Sequence, residues 1–197
     1  MNKTYYEYVQ NRSYFRYLRG LISRFFTFLR YQHNAQIARR KGATIGRHVI
    51  MPKSFALKCN SNVVIGDHVS IESPSIDTRS PIRIGNYVII GKGTEIITAS
   101  HNIDEPTWTP KYSELIIEDY VWLPTKVLVL PSCHRIGYGA VVGSGSVVVK
   151  DVDMMQVVSG NPASFLKYRK SVHSDLVVES LLHGDFIEYR RVYKKKK

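Results

Sequence analysis

Cysteine is scarce in this chain: its 197 residues include only Cys59 and Cys133. Two thiols supply no disulfide framework and fit a reducing cytosol. No run of about 18 apolar residues is present, so no segment reads as a membrane span. The N-terminal stretch lacks an uninterrupted apolar segment with a cleavage site, and a secretory leader is not expected. Acidic residues are nearly missing from residues 1–42, which hold nine Lys or Arg against one acid. Residues 43–163 are balanced, with ten against eleven, and residues 164–197 return to nine against four. The formal charge of +12 therefore sits on the two ends. No recognised nucleic-acid module accompanies it, and nucleic acid is not an expected partner. An anionic membrane, a phosphorylated ligand or an acidic saccharide would suit these cations as well.

The middle of the chain carries a period of six. Ile84, Ile90 and Ile96, then Ile117, Leu123 and Val129, then Ile136, Val142 and Val148 are all branched aliphatics at that spacing. Four residues after each stands a small residue: Val88, Thr94, Ser100, Val121, Val127, Cys133, Ala140, Ser146 and Val152. Ile45/Val49, Ile65/Val69 and Ile71/Ser75 look like earlier, less regular copies. A period of six is neither helical nor a simple alternation. It fits a short strand and a sharp turn, with every third unit stacked on the first. The fold class is therefore an all-β solenoid, a parallel β-helix of triangular section whose coils bury aliphatics on one another. Glycine often follows the aliphatic, as at Gly46, Gly66, Gly85, Gly91, Gly137 and Gly143, and is expected there to supply turn dihedrals. Cys133 falls on an inward position and should be a buried thiol.

Residues 1–41 form the first of three parts. Residues 4–41 contain no proline and read as helix. Tyr14, Leu18, Leu21, Ile22, Phe25, Phe28 and Leu29 project on one face, and Arg16, Arg19, Arg24 and Arg30 on the other. Such a basic amphipathic helix can lie on an anionic membrane, or pack on the coil or on a neighbouring subunit. The coil body is expected over 42–163, interrupted by an ejected loop at 101–115 that holds Pro106, Trp108 and Pro110. From Val129 to Ile136 the spacing is seven, so one side carries an extra residue. Residues 164–197 form a basic C-terminal extension, with a short helix expected over 174–183 and a frayed terminus at Lys194–Lys197.

His101 stands where the loop leaves the coil, so its side chain should face outward. A neutral imidazole in that place is suited to take a proton near neutral pH. Four stretches around it resemble the hexapeptide-repeat acyltransferases. They are IGNYVIIGKGTEIITASHN at 84–102, EDYVW at 118–122, IGYGAVVGSGSVVVKDV at 136–152 and SGNPASFLKYR at 159–169. The resemblance is to the maltose/galactoside O-acetyltransferase branch and its relatives that acylate surface polysaccharides. It covers nearly half the chain, and the less regular coils from about Gly42 extend it.

The resemblance implies a left-handed β-helix and a homotrimer with acyl-CoA, most simply acetyl-CoA, lying between protomers. It makes His101 the general base for direct transfer to a sugar hydroxyl in polysaccharide or lipid-linked oligosaccharide synthesis. It implies acyl-CoA contacts at Trp122, Thr125, Ser144, Lys150 and Lys167, with Arg169 able to replace Lys167, and a closing turn at Asn161-Pro162. Asn102, Asp104 or a backbone carbonyl could orient the imidazole. The expected location is cytoplasmic, with peripheral attachment to the inner membrane face through residues 1–40. The chain departs from the family at Leu123-Pro124, in the longer stretch Pro131–Gly137, and at Val149. The family's acceptor-binding Asn has no clear match, which points to a different acceptor. No metal is expected. A γ-type carbonic anhydrase would need a zinc-binding His pair five apart, and His48, His68, His101 and His134 supply none. A non-catalytic coil scaffold is the remaining alternative.

Overall fold

A computed structural model of the chain describes residues 4–194; Lys195–Lys197 of the expected frayed terminus lie outside the described residues. The aliphatic period is spent on three parallel ladders. The first runs Thr44–Ile45, Val63–Ile65, Ile82–Ile84, Leu115–Ile117, Arg135–Ile136. The second holds Ser70–Ile71, Ile89–Ile90, Trp122–Leu123, Val141–Val142 and Gln156–Gly160, with Ala163–Tyr168 added antiparallel at its end. The third holds Glu95–Ile96, Leu128–Val129 and Val147–Val148. Successive repeats are dealt to the ladders in rotation, and each circuit makes one coil. Ile84 thus pairs with Ile117 and Ile117 with Ile136. Ile90 pairs with Leu123, and Ile96 with Val129 and Val129 with Val148. All nine period-setting aliphatics are buried.

The small positions are inward too, with two exceptions. Val88, Thr94, Val121, Val127, Cys133, Ala140, Ser146 and Val152 are buried, whereas Ser100 is exposed and the inward residue before the loop is Thr98. Ser75 is likewise exposed, and Ile76 takes its place in the core by bridging to Ile96.

Glycine proves to serve a different purpose from the one expected. A Cβ built on Gly85 would stand 2.7 Å from the amide nitrogen of Asp119, and one on Gly137 2.6 Å from that of Met154. These glycines let neighbouring coils approach. The left-handed corner positions are held mostly by other residues, including His48, His68, Tyr87 and Tyr120. Their rings stack along one edge at centroid distances of 4.8–4.9 Å, so packing between coils offsets the backbone strain. Beside them Asp67, Asn86 and Asp119 accept the corner N–H groups of Arg47, Asp67 and Asn86, which would otherwise lack partners.

The helical segment is two helices, α1 (Tyr5–Gln10) and α2 (Tyr14–Arg40). Thr4 and Glu7 close a reciprocal cap on α1. On α2, Tyr17, Arg24, Asn34, Ala35 and Ala38 are buried, while Leu18, Ile22, Phe25 and Leu29 of the projected apolar face are exposed, so that face does not pack on the coil. Ala35 and Ala38 join the coil core, and the Arg39 guanidinium donates to the carbonyls of Ile45 and Gly46. α2 thereby caps the open first edge of the coil, where unpaired backbone would otherwise face water. A single turn, α3 (Lys53–Ala56), replaces the third side of the first coil.

The C-terminal extension runs back along the stacked corner. Its short helix is a 3₁₀ turn over Val178–Leu182, and a further helix, α4 (Phe186–Lys194), packs on α1 and α2. Asp185, just before α4, accepts from Tyr5 Oη at 2.5 Å and Arg24 Nε at 2.9 Å. Gly20 is the contact point, for a Cβ there would meet Tyr189 Oη at 2.6 Å. No helix among the described residues is long and apolar enough to cross a membrane.

Candidate active site

The expected loop is a hairpin. Ala99–His101 pairs antiparallel with Pro110–Tyr112, His101 opposite Pro110. It leaves the coil at the corner after the third ladder. Its root is tied by Ser113 N–H to the Thr98 carbonyl at 2.9 Å and by Thr98 N–H to the Asp77 carboxylate at 3.2 Å. Asp77 also holds Arg79, and these donors outweigh its partial burial and bring its carboxyl down to about 2. A rigid coil thus carries the hairpin on a charged, fully ionised anchor.

At the hairpin's far side the chain turns through Trp108, whose φ is 50°. That turn brings the Trp108 carbonyl to 2.8 Å from His101 Nδ1 and its indole parallel to the imidazole, 5.3 Å between centroids. A carbonyl only accepts, so Nδ1 carries the proton and Nε2 keeps its lone pair. The ring is exposed. Asn102 and Asp104 do not orient it; the Asn102 side chain accepts the Asp104 N–H within the turn. The backbone carbonyl is the partner found, and residue identities alone carry no sign of it.

The other site residues fall on two neighbouring surfaces of the coil. Lys150 follows the third ladder, so it lies along the corner from which the His101 hairpin departs, and it is exposed. Thr125 and Ser144 are exposed at the corner between the second and third ladders, where Gly145 N–H donates to the Thr125 carbonyl. Trp122 stands outward on the second ladder and is 43% exposed, paired with Ile89 and Val141. Lys167 is exposed on the antiparallel strand that ends the same sheet. Within one chain these residues line adjoining surfaces and do not converge into one cleft. The extra residue after Val129 lies at the Lys150 corner, with its N–H groups at His134 and Arg135 taken up by the Asp151 carboxylate. Asn161-Pro162 is a cis turn joining the last two strands.

Arg169 does not stand in for Lys167. It donates to the carbonyls of Tyr120 and Gly139 and to His173 Nδ1, and burial moves its pKa down. Its place is in the C-terminal wrap. Cys133 and Cys59 are buried, and burial pushes their thiols up to about 12 and about 11, so neither is a nucleophile near neutral pH. Among the described residues, no three His, Cys, Asp or Glu side chains are grouped to hold a metal ion. A cavity of about 430 Å³ lies between the stacked corner and the C-terminal wrap, away from the hairpin. Its charges are spent on one another: Glu179 takes His68 at 2.5 Å, Asp185 takes Tyr5 and Arg24, and Glu188 takes Arg191.

No family model matches the chain. Among curated proteins it is 30% identical over 140 residues to the colanic acid biosynthesis acetyltransferase named WcaF from Escherichia coli K12, covering 71% of this chain and 76% of that one. It is 31% identical over 137 residues to a galactoside O-acetyltransferase of Lactococcus lactis, covering 66% and 65%. Among solved structures, a maltose O-acetyltransferase from Clostridium difficile 630 shares the fold with a TM-score of 0.50 at 20% identity, over 73% of this chain and 89% of that one.

Proposed function

The chain belongs to the hexapeptide-repeat acetyltransferases, and from that premise we propose that it moves an acetyl group from acetyl-CoA to a saccharide hydroxyl, with His101 as general base. The observation that carries this reading is the 2.8 Å contact of His101 Nδ1 with the Trp108 carbonyl, which assigns the tautomer. With Nδ1–H held by the Trp108 carbonyl, an exposed Nε2 lone pair is the available base. Nε2 takes the hydroxyl proton as that oxygen bonds to the thioester carbonyl carbon. The tetrahedral adduct then expels the thiolate, and the proton returns from Nε2 to sulfur. No acyl-enzyme forms. The positive charge that Nε2 gains is offset by the Trp108 carbonyl dipole on the far side of the ring.

Acetyl-CoA is held by Trp122, Thr125, Ser144, Lys150 and Lys167, the two lysines pairing with its phosphates. Since these residues spread over adjoining surfaces, a groove needs a second wall, and a homotrimer supplies one from the neighbouring protomer. The coil winds left-handed in this reading, with the helical cap of 1–41, the coil body of 42–163 and the extension of 164–197 as its three parts. The acceptor is a polysaccharide precursor, in line with the named role of the E. coli relative. The reaction belongs at the cytoplasmic face of the membrane, with residues 1–40 as the attaching segment. His101→Ala should lower turnover by about two to four decades while the circular dichroism spectrum stays that of the parent. Near-parental turnover in that variant would remove His101 as the base.

A further inference from the structure

We propose that the outward face of α2 is a membrane-docking surface and that its partner is an anionic phospholipid bilayer. This deepens the location proposed above by naming the face and what it meets, and it rests on the helix rather than on the chemistry at His101. At about 100° per residue, Phe15, Leu18, Ile22, Phe25, Phe26 and Leu29 lie within an arc of about 100°. All six are exposed, Phe15 at 83% and Phe26 at 65%. The opposite side of the same helix is the one already used: Tyr17, Arg24, Ala35 and Ala38 are buried against α4 and the coil. α2 therefore has two working faces: it is held by one, while the other is left largely uncovered, with only Phe25 of the six resting its ring on Phe186 of α4 at 5.3 Å between centroids. With large side chains burying about 200 Å² each, the outward residues leave on the order of 600 Å² of apolar surface, at the top of the range for a soluble monomer.

Charge selects the occupant. Arg16, Arg19 and Arg30 are exposed along one border of that face, and α2 contains no Asp or Glu. Two copies apposed through it would bring their arginines together with nothing on the helix to offset them. An anionic lipid surface instead accepts the aromatic and aliphatic side chains between its headgroups and pairs the arginines with phosphates. The helix lies in the plane of the interface, because its other face is committed to the protein.

The test is flotation of the full chain with vesicles of phosphatidylcholine alone or mixed with phosphatidylglycerol. The parent should float with the anionic vesicles and not with the neutral ones. Phe15→Glu combined with Phe26→Glu should abolish flotation. Replacing Arg16, Arg19 and Arg30 with Gln should weaken it on the order of a hundredfold, about fivefold per cation. Light scattering should give one oligomeric state for all of them. A parent that binds neither vesicle, or variants that bind as the parent does, would overturn the proposal. So would Phe15→Glu/Phe26→Glu changing the oligomeric state without any lipid binding by the parent, which would assign the face to a second copy. Acetyl transfer to a soluble sugar without vesicles reads the proposed activity separately and should be unchanged in every variant.

Discussion

Removing the Asp185 carboxylate should undock the helical cap and leave the coil intact. Asp185 has no side-chain exposure and Arg24 only 9%, so their ion pair is shielded from water. The same carboxylate accepts the Tyr5 hydroxyl, and burial and the Asp185 charge together drive that phenol's pKa upward, so it stays a donor. In Asp185→Ala the Arg24 guanidinium keeps the Tyr189 ring at 4.2 Å and a 3.5 Å contact to the Gly20 carbonyl. An orphaned buried charge costs about 3–5 kcal/mol. The ring offsets about 1 kcal/mol of that, which leaves about 2–4 kcal/mol. Native-state hydrogen exchange of the α2 amides reads this quantity directly. Their protection should fall by about one and a half to three decades, while amides of the ladder strands keep theirs. A double variant, Arg24→Met with Asp185→Leu, should recover to within about one decade, because an apolar pair of similar volume removes the unpaired charge. A loss below about fivefold in Asp185→Ala, or a double variant as weak as the single one, would show that the pair is solvated and that the cap is held by other contacts.

Gly20→Ala should destabilise the cap despite a gain of about 1 kcal/mol in helix propensity, because the added Cβ meets Tyr189 Oη at 2.6 Å; a higher melting temperature would refute the close contact. The C-terminal wrap should respond to pH in two opposite ways. The Glu179 hydrogen bond raises the His68 pKa, so that contribution is full below the ordinary value near 6.5 and is lost as pH rises through the raised value. Burial lowers the His173 pKa, so its contribution is full above that ordinary value and is lost as pH falls through the lowered one. Urea midpoints of the wrap should therefore decline on both sides of a maximum, and His68→Gln should remove only the alkaline decline. Trp108→Ala keeps the carbonyl but loses the stacked ring, and it should lower kcat roughly tenfold with KM for acetyl-CoA unchanged. An unchanged kcat would show that the carbonyl alone orients His101.

The coil core was readable in the chain because burial there is local and periodic. Each circuit presents Ile, Leu or Val to the same ladder, and the spacing of six in sequence is the spacing of faces in space. The purpose of the glycines was not readable. Gly85 faces Asp119, 34 residues on, and only the stacking of coils brings that backbone within reach of a Cβ. Which face of α2 docks was not readable for a related reason. Hydrophobicity marks which side chains favour burial, whereas this helix is docked by an arginine whose partner, Asp185, lies 161 residues away. The apolar face, for which membrane, coil and neighbouring subunit all stood open, is thus the one left largely outward.

The candidate base was visible for the opposite reason. His101 is singled out by the point at which the period stops, and a side chain at such a point must leave the coil. Its orienting partner was invisible, since every residue has a carbonyl and only the turn at Trp108 aims this one at Nδ1. Arg169 shows the converse limit. It has the charge and the position that phosphate binding asks for, yet two carbonyls and an imidazole around it take up three of the guanidinium's N–H groups. A cation's place in a motif shows what it could reach. Which partner it takes is decided by the donors and acceptors the fold leaves unsatisfied, and at the stacked corner the wrap leaves the Tyr120 and Gly139 carbonyls for Arg169 alone to cover.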